Sequence, residues 1–134
     1  VCSVSKSINS YKDLVAWQKS MSVVEHVYAL TAGYPPGERY GLVAQIRRAA
    51  VSIPSNVAEG YGRRTRADYV RFLDMDRGSA NELETQLLIA GKLGFGCDGH
   101  YAQIIAEVNE VQRILRGLVD SIEAGKLPAA PGRH

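Results

Sequence analysis

Apolar residues recurring in steps of three and four constrain this chain more than any other feature. Four long segments carry that rhythm, separated by Gly/Pro punctuation, and no segment shows a strand signal. The first is expected over about 13–32, with Asp13 as its N-cap and Trp17, Met21, Val24, Tyr28 and Thr31 on its inward face. "GYPPGERYG", Gly33 to Gly41, then makes a loop. The second runs over about 41–61 with the stripe Leu42, Ile46, Ala49, Ile53, Val57 and Gly60. Pro54 interrupts its hydrogen bonding, but the apolar period continues beyond it, which predicts a kink and not a break. The third runs over about 67–93 with Thr65 as N-cap and Asp68 at the capping-box position. Its stripe is Tyr69, Leu73, Asp76, Ala80, Leu83, Leu87 and Ala90. The fourth starts at Asp98 or Gly99 and runs to about Ala124, with Ile104, Val108, Val111, Leu115, Leu118 and Ile122 inward and Gly125 just past its end.

Matched helices of ~20 residues, each spanning ~30 Å, joined by short loops, predict an all-α, antiparallel up-and-down four-helix bundle. The bundle is expected over 11–125, with flexible tails over 1–10 and 126–134.

Several chemistries find no support. "GFGCDG", Gly94 to Gly99, matches a dinucleotide fingerprint in letters only, because a helix and not a strand precedes it. His26, His100 and His134 are scattered, so no metal site and no cofactor is expected. Cys2 and Cys97 read as unpaired thiols. No nucleophile motif appears, so no catalytic residue is assigned. Asp74, Asp76, Glu82 and Glu84 read as solvated helix charges, although Asp76 also falls on the inward stripe, where a carboxylate needs a partner or a subunit boundary. The runs lack a secretory h-region and a membrane-length apolar stretch, which points to a cytoplasmic protein with no membrane partner.

Two polar patterns remain. Ser52, Ser55, Asn56 and Glu59 stand at i, i+3, i+4 and i+7 beside the stripe of the second helix, and are expected to form a hydrogen-bonded seam to a neighbouring helix or subunit, with Ser79 or Glu82 as partners of Asn56 and Glu59. Arg47, Arg48, Arg63, Arg64, Arg66 and Arg71 crowd the second and third helices, although the net charge is only +2. Guanidinium forks suit phosphate, so this cluster is the candidate nucleic-acid surface. Apolar residues off the main stripes, such as Val15, Val27, Phe72 and Ile105, suggest a subunit interface.

The runs "YKDLVAWQKSMSVVEHVYAL", "IRRAAVSIPSNVAEGYGR" and "YVRFLDMDRGSANELETQLLIAGKLGF" closely resemble the four-helix-bundle proteins encoded in intervening sequences of bacterial 23S rRNA genes. The resemblance covers roughly Tyr11 to Leu118, and "SIPSNVAEG" and "GSANELETQL" are its most specific parts. It implies a ring of five subunits, no enzymatic activity, and kinship with accessory proteins of diversity-generating retroelements, which bind nucleic acid and a reverse transcriptase. Asp74, Asp76 and Arg77 depart from the family's more apolar run before Gly78. The leading expectation is therefore a non-enzymatic homopentamer that binds RNA or single-stranded DNA. The alternative is a protein-interaction scaffold with no nucleic-acid role.

Overall fold

The computed structural model describes residues 8–96 and 98–125. Cys2, Cys97, His134 and the tails 1–7 and 126–134 lie outside the described residues. The elements are helices α1 (Val15–Thr31), α2 (Leu42–Tyr61), α3 (Arg66–Lys92) and α4 (Asp98–Glu123), with short 3-10 turns at Tyr11–Asp13 and Pro36–Glu38. Among the described residues there is no strand, and the fold is all-α. α1 packs on α2, α2 on α3, α3 on α4, and α1 closes on α4, while among the described residues the diagonal pairs make no close backbone approach. Lys19 meets Glu110 and His26 meets Glu107 across the closing pair, so residue numbers that rise along α1 fall along α4.

The core is the inward face of each helix. Val23, Val27, Ile46, Ile53, Val57, Leu73, Leu83, Leu87, Val108, Val111 and Leu115 are fully buried. The expected stripes of α2 and α3 are buried almost without exception. That of α1 is displaced by one residue except at Thr31, which is buried as expected. Its core face is Ala16, Ser20, Val23, Val27 and Leu30, whereas Met21 and Tyr28 are exposed and Trp17 and Val24 only half-buried. Val27, expected off the stripe, is therefore core. Small and polar residues hold this face because their hydroxyls bond locally. Ser20 Oγ donates to the Trp17 carbonyl, and Thr31 Oγ1 to the Val27 carbonyl.

Asp13 does not cap α1. Its carboxylate accepts from the backbone N–H groups of Asn9 and Ser10, and Ser10 caps the 3-10 turn in return. α1 then begins after extended Leu14 with no side-chain cap. Thr65 does cap α3, accepting from the Asp68 N–H at 3.1 Å. α2 is unbroken through buried Pro54.

At the end of the bundle carrying the 33–41 loop, the Tyr34 hydroxyl donates to Tyr101, whose own hydroxyl donates to the Phe95 carbonyl at 2.6 Å. Gly96, at φ 74°, sits against Tyr34, Leu30 and Tyr101, where a Cβ would meet side-chain atoms at 3.1–3.3 Å. Burial, aided by the Tyr101 bond, holds the Tyr34 phenol far above the ordinary tyrosine range.

Candidate nucleic-acid interface

α2 and α3 are joined by a tight turn. Gly62 ends α2 with its N–H on the carbonyls of the last turn, and Thr65 opens α3 three residues later. The two helices approach closely because Gly60 lacks a side chain: a Cβ there would lie 2.9 Å from the Phe72 Cβ. The turn therefore places Arg63, Arg64, Arg66 and Arg71 at one end of the bundle. Cations beside a helix N-terminus oppose the helix dipole, at a cost of ~0.3–1 kcal/mol each. Local stability does not explain Arg66, whereas Arg64, between the two helices, also lies near the α2 C-terminus, where a cation is favoured.

The six candidate arginines do not form one cluster. Arg47 and Arg48 lie near the start of α2, separated from the turn by ~20 Å of helix. Arg47 is occupied: Nε donates to Thr31 Oγ1 at 2.8 Å, Nη2 donates to the Tyr28 carbonyl, and the guanidinium stacks 4.2 Å from the Tyr28 ring centroid. Arg63 pairs with Glu59 at 3.1 Å and Arg71 with Asp68 at 3.5 Å. Both also face the Phe72 ring, at 4.5 and 4.9 Å. Arg48, Arg64 and Arg66 are exposed and carry no hydrogen bond, ion pair or ring contact among the described residues.

The polar stripe of α2 differs from the expected seam. Ser52 Oγ donates to the Ala49 carbonyl and Ser55 Oγ to the Val51 carbonyl, both within α2. Glu59 pairs along its own helix with Arg63. On α3, Glu82 Oε2 accepts from Gln86 Nε2 at 3.3 Å, again within the helix, and Ser79 makes no hydrogen bond among the described residues. Hydroxyls in a helix reach their own i−3 and i−4 carbonyls more readily than a neighbouring helix. Only Asn56 acts across α2 and α3, and it faces Asp76.

Asp76 is fully buried, and neither carboxylate oxygen has a donor in hydrogen-bonding geometry. The reading of this residue as a solvated helix charge is thereby corrected. Burial pushes its carboxyl up to about 8, and the nearby Asn56 amide offsets only part of that rise. No group of three or more His, Cys, Asp or Glu residues among those described is arranged to hold a metal ion. No described helix is long and apolar enough to cross a membrane.

Sequence reasoning missed a second polar surface, between α3 and α4. Asp74, Arg77, Asn81 and Glu84 face Asn109, Gln112, Arg113 and Arg116 across a groove of about 750 Å³. The signal was present as two polar rows at helical spacing.

The model of a family described as 23S rRNA-intervening sequence protein matches residues 12–117. A crystal structure from Bacteroides thetaiotaomicron, described as a protein with unknown function from the S23 ribosomal protein family, superposes with a TM-score of 0.74 at 24% identity, covering 81% of this chain and 98% of that one. At that identity the likeness shows the shared fold alone. No curated protein matches the sequence.

Proposed function

The chain belongs to the 23S rRNA-intervening sequence protein family, and from that premise we propose that it is the protomer of a non-enzymatic homo-oligomer that binds single-stranded nucleic acid. The observation that carries this reading is the pair Arg64 and Arg66, exposed and without a partner among the described residues at the α2–α3 turn, with Arg66 in the first turn of α3, where it works against the helix dipole. Guanidinium groups held this way neutralise phosphates and release counterions. Nothing in the turn reads bases. Phe72 is buried beneath Arg63 and Arg71, Tyr69 is buried, and half-buried Tyr61 packs edge-on against Tyr69, so stacking contributes little and binding is sequence-tolerant.

Few arginines per protomer require repetition, because later sites then bind at high effective concentration. The face between α1 and α2 supports self-association. Trp17, Met21, Val24, Val51 and Pro54 line an apolar groove there. Five subunits is the count the family resemblance implies. Light scattering at micromolar concentration should give a mass several times the 14.6 kDa chain; a 14.6 kDa particle would refute the assembly.

In a gel-shift assay at low salt with a mixed-sequence single-stranded RNA, Arg64→Ala/Arg66→Ala should weaken binding about tenfold or more. Unchanged binding would remove this surface from the account. The protein-scaffold reading is favoured by a different observation: Arg47, Arg63 and Arg71 are each paired with groups of their own chain. It would take precedence if no nucleic acid binds at low salt.

A further inference from the structure

We propose that the groove between α3 and α4 is the track along which the single-stranded nucleic acid lies, running from the α2–α3 turn past Arg116 and Arg113. The proposal rests on the nucleic-acid reading above and assigns that ligand a second, larger site.

The groove is built from both helices. Gln112 on α4 spans its floor, with Nε2 donating to Asn81 Oδ1 at 2.8 Å and to the Arg77 carbonyl at 3.3 Å. These bonds hold the two walls in register. They leave the Asn81 amide N–H groups and the Gln112 carbonyl oxygen available as a donor and an acceptor. Gly78 lies on the α3 wall, and a Cβ there would meet nothing within 4 Å, so the groove is open beside the backbone.

The charges are unevenly used. Arg113 and Arg116, one helical turn apart on α4, are exposed and have no partner among the described residues. Arg77 sits 3.8 Å from Asp74, a long and weak pairing. Glu84 and Asn109 line one end, and the guanidinium groups, together with Asp74, line the other. Leu88 shares a pocket with Ile105, while Asn81 bonds Gln112, so α4 numbers fall as α3 numbers rise. Arg116 therefore lies towards the start of α3, the end carrying Arg64 and Arg66. From Arg66 to Asn81 the track along α3 is about 22 Å long.

The volume of about 750 Å³ falls in the range of small-ligand sites, but such sites are predominantly apolar. Every lining residue here is polar, charged or glycine. An open polar channel with repeated guanidinium groups and free amide edges fits a phosphodiester chain better than a small apolar ligand. Glu84 and Asp74 repel phosphate at fixed points.

The test is fluorescence anisotropy with a labelled mixed-sequence single-stranded RNA of about 20 nucleotides, long enough to follow the track, on the full chain at low salt. Two variants are compared with the wild type. Arg113→Ala/Arg116→Ala removes the free charges. Gly78→Leu obstructs the channel without changing charge, at a helical position where a Cβ has open space and a side chain favours helix. Each should lower affinity about tenfold, with the circular dichroism spectrum and melting curve retained. Arg113→Lys/Arg116→Lys should recover most of the loss, since phosphate neutralisation needs the charge. If the wild type binds and both variants bind equally well, the track is overturned while the turn arginines stand. If only the arginine variant weakens binding, the strand passes over the groove and not through it, and the proposal is likewise overturned. If the wild type binds no RNA but binds a polyglutamate peptide through Arg113 and Arg116, both this occupant and the nucleic-acid function fall.

Discussion

Asp76→Asn should stabilise the protein by about 2–4 kcal/mol at pH 9 and leave it nearly unchanged at pH 4. Asp76 is fully buried, neither oxygen has a donor in hydrogen-bonding geometry although the Asn56 amide lies nearby, and burial pushes its carboxyl from the ordinary 3.8 up to about 8. A carboxyl whose folded pKa is raised keeps its proton in the folded state after the unfolded chain has lost it. Its stabilising effect is fully present below pH 4, is lost as pH rises towards 8, and is absent above that. Each tenfold difference in proton affinity between the folded and unfolded chain corresponds to ~1.4 kcal/mol, which sets a ceiling that relaxation of the helix around the charge reduces. Asparagine has the same shape and no charge, so it should flatten the pH dependence. Urea denaturation at pH 4, 6, 7.5 and 9 measures this directly. Parallel pH profiles for wild type and variant would show that Asp76 finds a partner in solution.

Gly60→Val should destabilise the bundle by ~3 kcal/mol or more, and Gly60→Ala by ~1–3 kcal/mol. An exposed glycine within a helix gains up to ~1 kcal/mol on replacement by alanine, so the expected sign is reversed here. The reason is that a Cβ on Gly60 lies 2.9 Å from the Phe72 Cβ and 3.3 Å from the Tyr69 carbonyl oxygen. Those atoms are tied to the α3 backbone and cannot swing aside, so the two helices must separate. The turn bearing Arg63, Arg64 and Arg66 moves with them, and RNA affinity should fall along with the melting temperature. A Gly60→Ala protein that melts at or above the wild-type temperature would show that the helices part without cost.

The fold was legible because α2, α3 and α4 bury the residues whose spacing announces them: Ile46, Ile53 and Val57, then Leu73, Leu83 and Leu87, then Val108, Val111 and Leu115. α1 misled the reading for a physical reason. Of its bulky residues Met21 and Tyr28 are exposed and Trp17 is only half-buried, while Ala16 and Ser20 face inward, the Ser20 hydroxyl satisfied locally. Periodicity weighs size and hydropathy, and it has no view of a hydroxyl bonded to its own helix. Arginines were visible as residue types, but their partners were not. Arg47 is held by Tyr28 and Thr31 of α1, a contact that depends on how two helices are placed. The α3–α4 groove escaped notice because its two walls lie some thirty residues apart in sequence and become one surface only when Gln112 meets Asn81.

The measurement that bears most directly on the nucleic-acid account is the salt dependence of RNA affinity, followed by anisotropy from low to physiological ionic strength. The account predicts a linear fall of log K with log salt, with a slope of about −0.7 for each phosphate neutralised on a single strand, and a shallower slope for Arg64→Ala/Arg66→Ala. Affinity that does not change with salt, or no binding at the lowest salt, would contradict it.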